Sequence, residues 1–186
     1  MIAGCILTGG QNRRMAGEKK LFLPYEGRPF LSHLLDALAE LPKVYLSVDR
    51  PEPYEAAQLP MVPDRWPNCG PMGGIASVLR ACGEEAVFVT ACDTPLLDRE
   101  TVQQLVSAWQ GGVLLVSVDG RIQPLLGIYP KSALPELEKR LAKGELRMYD
   151  FLRAFGYVEL PLPERSQAAV NINTPEDYRA LKRKTE

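Results

Sequence analysis

Short, unbroken apolar runs alternate with stretches of helical period along most of this chain, and that alternation limits the folds open to it. The runs Ala3–Leu7 (beginning as early as Ile2), Val44–Val48, Met61–Val62, Ala86–Thr90, Val113–Ser117 and Leu125–Tyr129 read as strands. Phe30–Glu40, Gly73–Ala81, Asp98–Trp109, Ser132–Ala142, Met148–Phe155 and Pro175–Lys184 read as helices. A strand that is apolar on both faces needs cover on both, which βα alternation supplies. The expected fold is therefore α/β: a three-layer α/β/α arrangement of Rossmann type around a mostly parallel central sheet. Leu21–Pro29, "LFLPYEGRP", carries turn residues and suits a small hairpin. At 186 residues, without repeat, low-complexity tract or linker, the chain is expected to form one domain, 1–186.

Charge narrows the partners. The net charge is −1, where a broad nucleic-acid surface calls for strong basicity, so no nucleic-acid partner is expected. No apolar run approaches the roughly 20 residues of a membrane span. Ile2–Leu7 has no basic segment ahead of it and is too short for a signal peptide. A cytoplasmic protein without membrane contact is expected. Cys5, Cys69, Cys82 and Cys92 form no CxxC pair, and His33 is the one histidine. A zinc site of familiar spacing is thus not expected, and the cysteines read as buried reduced thiols.

In sheets of this kind ligands sit beyond the carboxyl ends of the strands. Three such ends carry loops with chemistry. After the first strand comes "TGGQNRRMAGEKK", Thr8 to Lys20: glycines that let backbone N–H groups approach a ligand, then four cationic side chains within eight residues, Arg13, Arg14, Lys19 and Lys20. Arg14 and Lys20 could neutralise phosphate oxygens, arginine as a fork and lysine as a point charge; a solvated basic turn is the alternative. The loop fits neither G-x-x-x-x-G-K-[ST] nor G-x-G-x-x-G. After the third strand comes Asp64 and then "CGPMGG"; after the fourth, "ACDTP". A carboxylate such as Asp93 at a strand end suits Mg²⁺, which takes one or two carboxylates together with phosphate oxygens; capping of the next turn is the alternative. Cys92 has no histidine near it in sequence to activate it as a nucleophile.

Towards the C-terminus, "NINTPEDY" combines a helix start with something more. Thr174 suits an N-cap, Pro175 the first helical position and Asp177 the acid of a capping box. That leaves Asn171 and Asn173, which alternate with Ile172 and so face one way, able to bind a polar ligand or to satisfy neighbouring backbone. His33 is given no role, and Trp66 and Trp109 read as packing residues.

Taken in order, these loops resemble the MobA family, the molybdenum cofactor guanylyltransferases. "ILTGGQNRRMAGEKKLF" is similar to that family's L-x-G-G-x-x-x-R-M-G-x-x-K signature. "DRWPNCGPMGGI", "TACDTPLL", "RIQPLLGIY", "GELRMYDFL" and "VNINTPEDY" fall where the family has matching segments. The resemblance implies a nucleotidyltransferase fold and a requirement for GTP and Mg²⁺. It implies transfer of GMP onto the phosphate of Mo-molybdopterin, with pyrophosphate released. It implies that Leu7, Gly9 and Gly10 line the nucleotide site, that Arg14 belongs to the phosphate loop, and that Lys20 is the phosphate-binding lysine. Asp64 and Gly70 fall on nucleotide-contacting positions and Asp93 on the metal-binding aspartate. Gln123, Arg147, Asn171 and Asn173 fall in the half that the family uses for the pterin or the metal. Other cofactor-biosynthesis or delivery proteins are implied partners.

The chain departs from the family at Ala16, where glycine is usual, at Lys19, where an aspartate commonly precedes the lysine, and at "PMGG", where Pro-Leu-Ala-Gly is usual. Lys19 leaves open which lysine is the reactive contact. Related cytidylyltransferases tend to carry Ala-Ala-Gly where this chain has Thr8-Gly9-Gly10, which favours guanine over cytosine. Under this reading a pterin phosphate, largely ionised near neutrality with a second pKa of about 6, attacks without a general base. Lys20, Arg14 and Asp93 then carry the catalysis by alignment and charge neutralisation. A sibling transferase using CTP or another phosphorylated acceptor, and a non-catalytic nucleotide- or cofactor-binding protein, are the alternatives.

Overall fold

The structure, a computed structural model, describes residues 1–8, 19–164 and 166–183. Gly9, Gly10, Arg14 and Ala16 therefore lie outside the described residues.

Among the described residues the main sheet has seven strands. In chain order these are β1 (Ile2–Leu7), β4 (Val44–Val48), β5 (Met61–Pro63), β6 (Ala86–Ala91), β7 (Leu114–Val118), β8 (Arg121–Pro130) and β9 (Val158–Pro161). They lie in the order β5-β4-β1-β6-β8-β7-β9. Two short strands, β2 (Pro24–Tyr25) and β3 (Arg28–Pro29), form the separate hairpin expected between Leu21 and Pro29. The helices are α1 (Phe30–Ala37), α2 (Gly70–Ala81), α3 (Arg99–Ala108), α4 (Leu134–Lys143), α5 (Met148–Phe155) and α6 (Pro175–Arg183).

Strand alternation sorts the core into two layers. Ile2 and Ile6 of β1, with Leu46, Val48 and Phe88, meet Leu31 and Leu34 of α1 and Val102 and Leu105 of α3. Ala3, Cys5 and Leu7, with Tyr45, Val87 and Val89, meet α2, α4 and α5 on the other face, through residues such as Ile75, Leu137 and Phe151. Every residue of β1 is buried, as a central strand covered on both sides requires. A third cluster joins the hairpin to α6 through Leu23, Tyr25, Phe30, Ile172 and Leu181.

The strands β5, β4, β1 and β6 are parallel, and β9 runs parallel to β7. The exception is β8, antiparallel to both its neighbours. Its reversal comes from Asp119–Gly120, both with positive φ (51° and 68°), a two-residue turn joining β7 directly to β8. As a result the start of β8 lies at the sheet edge where the parallel strands end.

Differences from the sequence expectations are mostly at element ends. Helix α2 begins at Gly70 rather than Gly73, because Pro71 is tolerated in a first turn. Asp98 serves as the N-cap of α3, its carboxylate accepting from the Thr101 N–H at 2.7 Å. Strand β9 was not expected; it is four residues long and mostly exposed, so it lacks the apolar run that marks the inner strands. The cysteines are free, with Cys69 only partly buried and the other three buried. No helix among the described residues is long and apolar enough to cross a membrane.

Candidate active site

Two adjoining cavities open at the carboxyl ends of the parallel strands, sharing Leu7 and Pro71 in their walls. The first, about 420 Å³, is lined by Lys20, Asp93, Thr94, Gln123, Asn171 and Asn173 among others. The second, about 460 Å³, is lined by Ser47, Asp49, Asp64, Asn68, Gly70 and Gly74 among others.

Lys20 opens a single 3-10 turn, Lys20–Phe22, whose next residue, Leu21, is wholly buried. That anchor fixes the backbone, and only 9% of Lys20 is exposed. Its ammonium donates to Asn173 Oδ1 at 3.0 Å and lies 3.3 Å from Asp93 Oδ2. A buried ammonium needs such acceptors, since a desolvated charge is tolerated only when paired. The preceding residue, Lys19, is extended (φ −68°, ψ 136°) and sends its side chain elsewhere, over the Tyr54 ring at 5.1 Å. Tyr54 itself is fully buried in the 3-10 segment Glu52–Ala57.

Asp93 follows β6. Its backbone neighbours fix it on two sides: the Cys92 N–H donates to Leu7 O at 3.0 Å, and the Ile172 N–H donates to Asp93 O at 2.8 Å. The turn beyond is closed by Thr94, whose hydroxyl donates to Ala91 O at 2.7 Å, and not by the Asp93 carboxylate. That leaves the carboxylate for the cavity. Oδ2 meets Lys20, and Oδ1 is buried with no hydrogen-bond partner among the described residues. An unpaired buried carboxylate oxygen is costly unless something completes it.

In the second cavity, Asp64 follows β5. Its Oδ1 accepts from the Trp66 N–H at 2.9 Å and lies 3.3 Å from the Ser77 hydroxyl. Burial pushes the Asp64 carboxyl above its ordinary pKa, the two hydrogen bonds oppose the rise, and the nearby charge of Asp49 adds to it. Gly70, at φ +62°, occupies a left-handed conformation that side chains resist. Gly74 brings α2 close to the sheet: a Cβ there would stand 2.8 Å from Ser47 Oγ and 3.1 Å from Leu7 Cδ2.

Of the residues singled out in the sequence, the structure brings Leu7, Lys20, Asp93, Gln123, Asn171 and Asn173 to one cavity, and Leu7, Asp64 and Gly70 to the other. The alternation of Asn171 and Asn173 about Ile172 is realised, with Ile172 buried and both asparagines on the cavity wall. Gln123 reaches the site because β8 is antiparallel. Arg147 stands apart: it is exposed, precedes α5 and lines neither cavity. Residues not singled out, such as Asp49, Asn68 and Thr94, also line the walls. Asp49 directly follows β4, so the rule that ligands sit beyond strand ends, applied to that strand too, would have found it.

Known proteins bear on this geometry. Residues 4–159 match the MobA-like NTP transferase domain family. The probable molybdenum cofactor guanylyltransferase of Carboxydothermus hydrogenoformans is 35% identical over 183 residues, 95% of this chain and 92% of that one. The molybdenum cofactor guanylyltransferase of Cereibacter sphaeroides is 31% identical over 179 residues, 94% of this chain and 92% of that one. The crystal structure of molybdopterin-guanine dinucleotide biosynthesis protein A from Archaeoglobus fulgidus shares the fold, with a TM-score of 0.79 at 22% identity over 98% of each chain. The chain belongs to the MobA-like NTP transferase family and is a nucleotidyltransferase.

Proposed function

We propose that this protein transfers GMP from GTP to the phosphate of Mo-molybdopterin, forming the molybdopterin guanine dinucleotide cofactor and releasing pyrophosphate. The names of its full-length relatives support this reading. The observation that carries it is the meeting of Lys20 and Asp93, 73 residues apart in sequence, in a cavity that adjoins a second one of comparable size. A two-substrate transfer needs both reactants beside one set of charged groups.

In this reading the guanosine occupies the cavity of Asp64 and Gly70, and the triphosphate runs past Leu7 towards Lys20. The acceptor enters the cavity of Gln123, Asn171 and Asn173. A phosphate oxygen of the pterin attacks the α-phosphorus of GTP, and the bond from that phosphorus to the bridging oxygen of the pyrophosphate breaks. The acceptor is already ionised near neutrality, so no proton has to be removed from it. Lys20 then stabilises charge growing on the leaving pyrophosphate, Arg14 is assigned to the same task, and the backbone N–H groups of Gly9 and Gly10 are assigned to fix the triphosphate.

Asp93 is the residue assigned to Mg²⁺. Its buried, unpartnered Oδ1 fits a hard cation that takes one carboxylate and completes its shell with water and phosphate oxygens. Bound there, the cation supplies further neutralisation of the triphosphate. The free thiols fit a reducing compartment, and on that ground the protein is assigned to the cytoplasm.

The test is a transfer assay with purified protein, Mo-molybdopterin and Mg²⁺ across GTP, CTP and ATP, following pyrophosphate and the dinucleotide product. Product from GTP far above that from CTP and ATP is expected. Preference for CTP, or no transfer from any of them, overturns the reading.

A further inference from the structure

The α6 capping box explains how that helix starts. It leaves unexplained why the residue just before it reaches across to Lys20. Asn173 is exposed, so its own side-chain packing does not hold it. Its backbone is held instead. Asp177 Oδ2 accepts from the Asn173 N–H at 2.9 Å and from the Thr174 N–H at 2.8 Å. Thr174 Oγ1 accepts in return from the Asp177 N–H at 3.1 Å. One residue earlier, the Ile172 N–H donates to Asp93 O at 2.8 Å.

The same segment is tied to the other side of the site. Ile172 is buried with Leu23, and the Leu23 N–H donates to Lys20 O at 3.1 Å. The Tyr178 hydroxyl donates to Pro24 O. The start of α6 is thus bonded to the backbone of Asp93, packed against the turn of Lys20, and in contact with the Lys20 ammonium through Asn173 Oδ1. The segment that makes these contacts, Ile172 to Tyr178, lies beyond residue 159, where the family match ends, and its partners lie within the match.

We propose that the α6 capping box is a positioning device for Lys20: Thr174 and Asp177 fix Asn173, and Asn173 Oδ1 with Asp93 Oδ2 seats the ammonium before substrate arrives. This rests on the transfer reading only in taking Lys20 as the group that meets the triphosphate. Lysine has a long, flexible stem, and a seat removes that freedom in advance, so that the charge is already aligned when the phosphates enter. Asp177 lines neither cavity; it acts on Lys20 through Asn173, and its charge also attracts the ammonium directly.

The experiment is a double-mutant cycle in the transfer assay, using Asp177→Ala, Lys20→Met and the pair, with thermal unfolding followed in parallel. Asp177→Ala is expected to lower kcat about tenfold, with KM for GTP within about twofold of wild type. Asp177→Glu, which keeps a carboxylate in the box, is expected to recover most of the loss. In the Lys20→Met background, Asp177→Ala is expected to cost no further activity. If Asp177→Ala does not fold, Asn173→Ala takes its place in the cycle. An unchanged kcat, or the same fractional loss in both backgrounds, overturns the proposal while the transfer reading stands. Wild-type turnover by Lys20→Met alone overturns both.

Discussion

Lys19 and Lys20, adjacent in the chain, point to different surroundings: Lys20 sits between Asp93 Oδ2 and Asn173 Oδ1, and Lys19 lies 5.1 Å above the Tyr54 ring. In sequence either lysine could be the phosphate contact. The structure places Lys20 in the cavity wall, and the proposed function assigns the phosphate contact to it. Replacing Lys20 by Met, which keeps the buried volume, is expected to lower kcat/KM for GTP on the order of 100- to 1,000-fold. Among the described residues Lys19→Ala gives up a cation–π contact with Tyr54, and it is expected to cost less than about tenfold. Steady-state kinetics of the two variants checks this, and the reverse order would assign the wrong lysine.

The Lys20–Asp93 pair also sets how a divalent cation should bind. One oxygen of Asp93 is already paired with an ammonium, and a cation at the other meets that positive charge at close range. Mn²⁺ alone is therefore expected to bind the wild type weakly and at least tenfold more tightly once GTP is present, because phosphate oxygens then engage Lys20 and complete the metal shell. Lys20→Met is expected to raise Mn²⁺ affinity in the absence of nucleotide, and Asp93→Asn to lose binding with and without it. Electron paramagnetic resonance titration reads free Mn²⁺ directly; affinity indifferent to GTP would contradict the coupling.

Asp177 gives the site a pH dependence of known sign. Its carboxyl is held below its ordinary pKa, chiefly by the Thr174 N–H and then by the Asn173 N–H. A carboxyl with a depressed folded value adds stability above its unfolded value and loses that contribution as pH falls through the folded one. The docking of α6 is therefore expected to weaken as pH falls below about 4. Hydrogen exchange at the Tyr178 amide, which donates to Thr174 O at 3.1 Å, follows that loosening. Asp177→Ala is expected to remove the pH dependence; the same dependence in that variant would place its origin elsewhere.

Gly70 opens α2 at φ +62°, and no atom of the described residues lies within 4 Å of the place of a missing Cβ. The cost of Gly70→Ala is then backbone strain alone, about 1–2 kcal/mol. For a chain of this size that corresponds to a fall in Tm of roughly 2–8 °C. Nucleotide binding should weaken as well, since Gly70 and Asp64 line the same cavity. Calorimetry on the variant decides; an unchanged Tm would show that the left-handed conformation is not required.

Much of this was legible in the sequence, for identifiable reasons. The inner strands β1, β4 and β6 are buried on both faces and so appear as continuous apolar runs. Asn171 and Asn173 announced their shared side by alternating with Ile172, and the Thr174–Asp177 box formed as its spacing dictates. Strand β9 was not legible because its residues, exposed at the sheet edge, carry no apolar signature. The antiparallel course of β8 was legible but unused: Asp119–Gly120 between apolar runs is a hairpin signal, and it explains why Gln123 reaches the site. The contacts among Lys20, Asp93 and Asn173 join segments 73 and 153 residues apart. No local pattern encodes such contacts; the parallel topology and the packing of α6 on the hairpin create them.

In the proposed function these loops hold a guanine nucleotide for transfer, with Lys20 and Asp93 at its phosphates. Equilibrium binding of GTP, CTP and ATP in the presence of Mg²⁺, to wild type and to Asp93→Asn, tests it most directly. A clear preference for GTP in the wild type and loss of the Mg²⁺ dependence in the variant are expected. Equal affinity for the three nucleotides, or Mg²⁺-dependent GTP binding that survives in Asp93→Asn, would contradict that function.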